Sequence, residues 1–300
     1  MAKSQNLIPW NSYSMGFIIS AFIILAALGV YFAHQIYESH HQETQIIFFN
    51  VGQGDSILIR TEQGHDILID GGPNNTVLTR LQDELGFFDR TLDLVIATHP
   101  DLDHIGGLSH VLNRYTVKTL MVSGHGATTT PARIFTAAIE NALQHGRLGT
   151  TTIARRGDAI ISGSVRIEVL FPDRPVNNDW DTNTASIIVK VQEGDKDVLL
   201  TGDAPKMIER FLVEQGDVHD IEILKLGHHG SKTSTDPMFL DAAQPKVVIV
   251  SAAKPSRYGH PHPTVMKLVQ ERNIPSFETG DGNVVCSLKT VQCTNTRGIK

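Results

Sequence analysis

The hydrophobic pattern of this chain has two regimes. Met15 to Ala33, MGFIISAFIILAALGVYFA, is apolar throughout and carries no charge. As a helix at about 1.5 Å per residue this run spans roughly 28 Å, close to the hydrocarbon thickness of a bilayer. It reads as a transmembrane anchor or an uncleaved signal sequence. A buried core helix fits less well, because the run is terminal and apolar on every side. A cleaved signal peptide needs an A-x-A-like site, and none follows clearly. Trp10, Tyr13, Tyr31 and Tyr37 flank the run, where interfacial aromatics belong. Lys3 precedes it and Arg60 is the first Lys or Arg after it, which favours a cytoplasmic N-terminus and an extracytoplasmic remainder. The chain thus divides into a cytoplasmic tail (1–14), the anchor (15–33), a polar linker (34–44) holding His40 and His41, and one large domain (45–300).

Beyond residue 45 short β-type runs alternate with segments of helical spacing. QIIFFNV, DSILIRT, DILIDGG, LDLVIAT and VKTLMVSG read as strands, and so do ISGSVRIEVLF, ASIIVKVQ, DVLLTGD, IEILKLG and KVVIVSA. Val77–Leu85, Pro131–His145 and Pro205–Glu214 have helical spacing, with Pro near the start of the last two. The pattern predicts two mostly antiparallel sheets with helices outside, a four-layer αββα arrangement of the α/β class.

Composition narrows the class. Of 300 residues, 41% are hydrophobic and 19% charged, so most of the chain folds and a polytopic membrane protein is excluded. The net charge of -6 excludes a chain-wide basic surface, so any nucleic-acid contact is a local patch. Two cysteines exclude a four-cysteine zinc module. Cys286 and Cys293 face each other if Lys289 and Thr290 form a hairpin turn, and an exported domain permits that bond. Lys-Thr is a poor tight-turn pair, so two free thiols stay open as the alternative.

The candidate chemistry sits at strand ends. After LDLVIAT comes His99-Pro-Asp101-Leu-Asp103-His104-Ile-Gly-Gly, four possible metal ligands within six residues. Gly106 and Gly107 would let the chain turn into the next helix. Asp203 follows the strand DVLL, and His228 and His229 follow IEILKL. Carboxylate and imidazole therefore recur where an active site on a sheet rim would collect them.

These residues resemble the metallo-β-lactamase superfamily, whose metal loop reads H-x-H-x-D-H, with Asp101 here at the second histidine position. More closely, NVGQGDSILI (50–59), ILIDGG (67–72), THPDLDHIGGL (98–108), LLTGD (199–203), LKLGHHGS (224–231) and YGHPHPTV (258–265) resemble the hydrolase domain of ComEC-type DNA-uptake proteins. The Asp usual before VGQGD is Asn50 here, and nothing matches the family's other membrane or oligonucleotide-binding regions, so a transport role does not carry over. The resemblance implies a metallo-β-lactamase sandwich with two divalent cations, Zn²⁺ or Mn²⁺. His99 and Asp101 would hold one cation, Asp103, His104 and His229 the other, and Asp203 would bridge them. A hydroxide bridged between the cations would attack the substrate, and His228 would donate to a phosphoryl oxygen or protonate the leaving alkoxide. His228 as a packing residue is the alternative.

Around these ligands, Asp70 reads as a brace of the metal loop. Asp55, Gly52 and Gly54 read equally as support for the site and as turn chemistry. His260 and His262 are candidates for substrate contact, and Ser231, Lys232 and Ser234 for phosphate contact. Lys254, Arg257 and Tyr258 form a basic-aromatic stretch suited to a DNA backbone or a lipid head group. The expected function is a membrane-tethered, extracytoplasmic phosphodiesterase or nuclease acting on a phosphodiester such as DNA. The alternatives are an envelope ester hydrolase of the phosphorylcholine-esterase kind, a β-lactam or amide hydrolase, and, last, a non-catalytic binding protein. The sequence designates no protein partner.

Overall fold

A computed structural model describes residues 12–40, 43–86 and 88–296. The chain forms two compact units, Met1–Gln42 and Glu43–Lys300. In the first, helix α1 runs Ser12–His40 and so takes in most of the stretch expected as a linker. Its apolar side chains, among them Phe17, Phe22 and Leu25, are exposed. Among the described residues no helix is long and apolar enough to cross a membrane. The anchor expected over 15–33 is helical but without support as a span. Trp10 and His41 lie outside the described residues.

The second unit contains two sheets. The first has the order β15-β14-β1-β2-β3-β4-β5-β6 and the second β13-β12-β11-β10-β9-β8-β7. The strands are β1 Gln45–Phe48, β2 Ile57–Arg60, β3 Asp66–Ile69, β4 Thr91–Ala97, β5 Thr116–Val122, β6 Leu148–Ile153, β7 Ala159–Ser162, β8 Val165–Phe171, β9 Ile188–Glu193, β10 Lys196–Leu200, β11 Ile223–Lys225, β12 Val247–Val250, β13 Ser276–Glu278, β14 Asn283–Ser287 and β15 Gln292–Thr296. The helices between them are α2 Thr76–Leu85, α3 Leu102–Arg114, α4 Thr130–Gln144, α5 Lys206–Glu214, α6 Pro237–Ala243 and α7 Pro263–Glu271.

Three cores separate four layers. Ile57, Ile69 and Ile96 of the first sheet meet Val169, Val189 and Ile249 of the second in the central core. Leu58, Leu68 and Val95 face outward onto α2, α3 and α4 through Leu81, Leu108 and Phe135. Leu199, Leu224 and Val248 face outward onto α5, α6 and α7 through Leu212, Leu240 and Val265. The αββα expectation holds, but the sheets are not mostly antiparallel. Each is half parallel: β3-β4-β5-β6 in the first and β10-β11-β12-β13 in the second. Strands covered on both faces and joined through helices must run parallel.

This topology places the C-terminal ends of β3, β4, β10, β11 and β12 on one rim, where an α/β site is expected. Gly106 and Gly107 differ from expectation: they lie inside α3 rather than before it. A Cβ at Gly107 would collide with the Gly71 carbonyl oxygen and lie 2.6 Å from that of Asn74. Their role is close approach of the helix to the β3–α2 loop. ISGSVRIEVLF likewise divides at Gly163 into β7 and β8.

Candidate metal centre

Each site residue is delivered by a strand end. β3 leads to Asp70, β4 to His99, Asp101, Asp103 and His104, β10 to Asp203, β11 to His228 and His229, and β12 to the loop of Tyr258 and His260. Asp101 is the N-cap of α3, and Asp103 and His104 occupy its first turn. Asp70, His228 and His229 all have positive φ (58°, 49° and 57°), a backbone state costing about 1–3 kcal/mol for residues with a Cβ. Such conformations persist only where the surroundings impose them; here Gly202 accepts from the His228 N–H at 3.1 Å.

The side chains converge on one atom. Asp203 Oδ2 lies 3.3 Å from His104 Nε2, 3.3 Å from His229 Nε2, 3.7 Å from His228 Nε2 and 4.0 Å from His99 Nε2. His229 Nε2 is 3.2 Å from Asp103 Oδ2, and His99 Nε2 is 3.7 Å from Asp101 Oδ2. Among the described residues four donor groups emerge: Asp55-Asp70-His104, Asp55-Asp203-His229 and, combining the predicted ligands, His99-His104-Asp203 and Asp103-His104-His229. His104 joins the last two, and Asp101, partly exposed, stands outside all four beside His99.

The donor set fits cations. Nε2 of His99, His104 and His229 are buried without a hydrogen-bond partner, a costly state unless something fills it. The opposite nitrogens of His99 and His104 are hydrogen-bonded. His104 Nδ1 is 2.7 Å from Asp70 Oδ2, and Asp70 also accepts from the Thr98 N–H (2.8 Å) and hydroxyl (2.6 Å). His99 Nδ1 is 3.0 Å from Thr98 Oγ1 and 3.3 Å from Ser186 Oγ. His229 Nδ1 faces Asp55 Oδ1 at 3.5 Å. Hydrogen-bonded partners of this kind orient Nε2 of His99 and His104 toward a metal, and His229 has Asp55 beside it as a charge contact.

The electrostatics agree. Burial pushes the Asp203 carboxyl up, but His229 and His104 outweigh it and hold it far below the usual carboxylate range. Burial likewise opposes charge on His104 and His229, yet Asp203, with Asp70 for the first and Asp103 for the second, holds both well above an ordinary imidazole. Positive charge is therefore favoured where the two rings point. Asp103 is held at about 2, burial being outweighed by the bond to His229 and by His104. Burial and His104 drive His99 well down, into the neutral form that ligates metal.

The remaining candidates divide. His228 Nδ1 is 3.0 Å from Thr233 Oγ1 and its ring stays partly exposed. Burial lowers its pKa. His260 packs against it, ring centres 5.5 Å apart, and Tyr258 lies against His260 at 6.2 Å. Arg257 sits over the Tyr258 ring at 4.9 Å. Gly52, Gln53, Asn74, Leu102, Asp103 and Tyr258 line a cavity of about 410 Å³ beside the centre. His262 caps α7, accepting from the Thr264 N–H. Ser231 is buried and accepts from Thr233, and Ser234 is buried and donates to the Ala204 carbonyl, so both belong to the turn. Lys254 is paired with Glu278 and Asp281, leaving Arg257 as the cation of its stretch that faces the cavity. Cys286 and Cys293 are disulfide-bonded across β14 and β15. Lys225, fully buried behind Asp203, escaped the sequence reading; its one signal was a charge at the end of an apolar strand.

The metallo-beta-lactamase superfamily model matches residues 49–254. The chain is 29% identical over 270 residues to ComE operon protein 3 of Bacillus subtilis, covering 83% of this chain and 34% of that protein. It is 28% identical to Competence protein ComA of Neisseria gonorrhoeae (93% and 35%) and 30% identical to Recombination protein 2 of Haemophilus influenzae (74% and 26%). The chain thus spans about a third or less of the length of these relatives. Among solved structures, Igni18, described as a novel metallo hydrolase from Ignicoccus hospitalis, shares the fold at a TM-score of 0.51 and 16% identity, covering 81% of this chain and 98% of that one. The matched motifs and the rim of buried imidazoles and carboxylates make this chain a member of the metallo-beta-lactamase superfamily, a metal-dependent hydrolase domain of the ComEC type.

Proposed function

We propose that the domain hydrolyses phosphodiesters, with a nucleic-acid strand as substrate. The observation that carries this reading is the convergence of three unpartnered imidazole nitrogens on Asp203, with Asp101 and Asp103 alongside. His99, Asp203 and Asp101 would hold one cation and Asp103, His104 and His229 the other, with His104 close to both. Three carboxylates among the donors make a hard set that accepts Mn²⁺ as well as Zn²⁺. Bound divalent cations supply Lewis acidity and lower the pKa of water from 15.7 to about 7.

The chain's own residues do the rest. Asp203, ionised and fixed between imidazoles, stays a ligand rather than a base. His228, neutral and held through Nδ1 by Thr233, turns Nε2 toward the open side of the centre. With the Thr233 hydroxyl turned from Ser231 Oγ to donate to Nδ1, Nε2 would carry the proton and donate it to a phosphoryl oxygen or the departing alkoxide. Arg257 and the exposed ring of Tyr258 supply a phosphate contact and a stacking face at the mouth of the cavity. Competence and recombination, in the names of the relatives, are consistent with DNA as substrate. Helix α1 would anchor the domain in a membrane with the domain outside, a compartment that permits the Cys286–Cys293 bond.

The test is hydrolysis by the Zn²⁺- or Mn²⁺-loaded protein of bis(p-nitrophenyl) phosphate, DNA oligonucleotides, a phosphorylcholine ester and a β-lactam. Phosphodiester cleavage is expected, with loss of at least about 100-fold in Asp203→Ala, since even supporting residues cost 10–100-fold. Cleavage of the β-lactam or the ester in preference to phosphodiesters, or full activity in Asp203→Ala, would refute the reading.

A further inference from the structure

Lys225 ends the central strand β11 with its side chain wholly excluded from solvent. A buried ammonium is tolerated only with charged partners and satisfied N–H groups. Its partners are all at the metal centre. Nζ lies 2.5 Å from Asp55 Oδ2 and 3.7 Å from Asp203 Oδ1, and donates to the Gly202 carbonyl at 2.9 Å. Lys225 therefore joins the second sheet to the β1–β2 turn of the first.

The two carboxylates it touches each turn their other oxygen to the site. Asp203 presents Oδ1 to Lys225 and Oδ2 to the three imidazole nitrogens. Asp55 presents Oδ2 to Lys225 and Oδ1 to His229 Nδ1. One ammonium thereby selects which oxygen of Asp203 faces the donor cluster. It also fixes Asp55 beside His229 Nδ1, a 3.5 Å ion-pair contact.

Charge points the same way. Asp55, Asp70, Asp101, Asp103 and Asp203 crowd the rim, and Lys225 is the lysine placed among them. It offsets part of their charge, and the remainder favours divalent cations. We propose that Lys225 is a positioning residue for the metal centre: its fixed ammonium orients Asp203 and, through Asp55, His229, and so sets the affinity for divalent cations. The proposal rests on the metal-centre reading above but not on the nature of the substrate.

The test uses the whole protein and reads cation binding directly. Lys225→Met keeps the bulk of the stem but leaves Asp55 as a buried, uncompensated charge, which threatens folding. Lys225→Met/Asp55→Asn removes that charge. Affinities for Mn²⁺ and Zn²⁺ are measured by competition with a chromophoric chelator, and thermal unfolding is followed in EDTA. The double variant is expected to unfold within a few degrees of wild type in EDTA yet bind cations about 10–100-fold more weakly, as orienting partners of metal ligands do. A merely structural lysine would lower the unfolding temperature and leave the folded protein's cation affinity unchanged; that result, or failure of both variants to fold, overturns the proposal. If wild type itself binds no divalent cation, the metal-centre reading fails; if wild type binds and the folded variants bind equally well, only the role of Lys225 fails.

Discussion

Replacing Gly107 with Ala sets two opposed effects against each other. Within a helix Ala is favoured over Gly by about 1 kcal/mol, so secondary-structure propensity alone makes the variant more stable. Packing argues the reverse. The added methyl would collide with the Gly71 carbonyl oxygen and sit 2.6 Å from that of Asn74, where 3.4 Å is ordinary contact. Relief requires α3 and the β3–α2 loop to part by more than an ångström. That strains two backbone hydrogen bonds, Gly107 N–H to Gly72 at 2.8 Å and Gly71 N–H to His104 at 2.7 Å, each contributing about 1 kcal/mol. Overpacking itself costs about 1–3 kcal/mol. The net expectation is destabilisation by roughly 2–4 kcal/mol, read by urea unfolding in EDTA. Because the first turn of α3 carries Asp103 and His104, the shift also displaces ligands, and a misplacement of about 1 Å costs on the order of 100-fold in a precisely arranged site. Cation affinity should fall with stability. A Gly107→Ala protein as stable as wild type, with undiminished cation affinity, would refute the close approach of this helix to Gly71.

Glu209 is wholly buried, accepting from the Thr235 and Asp236 N–H groups at 2.8 and 2.7 Å, and burial lifts its pKa to about 7 against the pull of those two bonds. The folded state thus binds the proton more tightly than the unfolded chain, so the associated stability is present below about pH 4.5 and lost as pH rises through 7. Wild type should lose roughly 2–4 kcal/mol relative to Glu209→Gln between pH 5 and pH 8; parallel urea-derived stabilities of the two proteins over that range would sink the idea. The Cys286–Cys293 bond closes a short loop across two paired strands, for which chain entropy gives about 2.5 kcal/mol. Reduction should lower stability by about that amount and speed amide exchange in β15, and unchanged exchange there would show that the strand is held by other contacts.

What the sequence made legible was local. Four ligand-type residues within six, at the end of LDLVIAT, need no knowledge of the fold to be noticed, and the αββα layering follows from strands and helices in alternation. The strand directions were equally encoded but misread. β3 and β12 are buried at every position, the signature of strands covered on both faces, and helices lie between β3 and β6 and between β10 and β13. The helical connections call for parallel pairing, and the antiparallel pairs are those joined without an α-helix, β1–β2, β2–β3, β7–β8, β8–β9, β9–β10 and β14–β15, together with β1–β14. The support of the ligands was not legible, because it is long-range. Lys225 reads as an ordinary charge closing a strand until Asp55, far upstream in the other sheet, is set 2.5 Å from it. Ser234 and His262 read as site residues because they follow the motif, yet their side chains satisfy nearby backbone. Ligand identity is thus written in short segments, whereas ligand orientation is written in pairs such as Asp70–His104 and Asp55–Lys225. Variants at those pairs, rather than at the ligands, separate a centre that merely contains the right residues from one that holds cations in place.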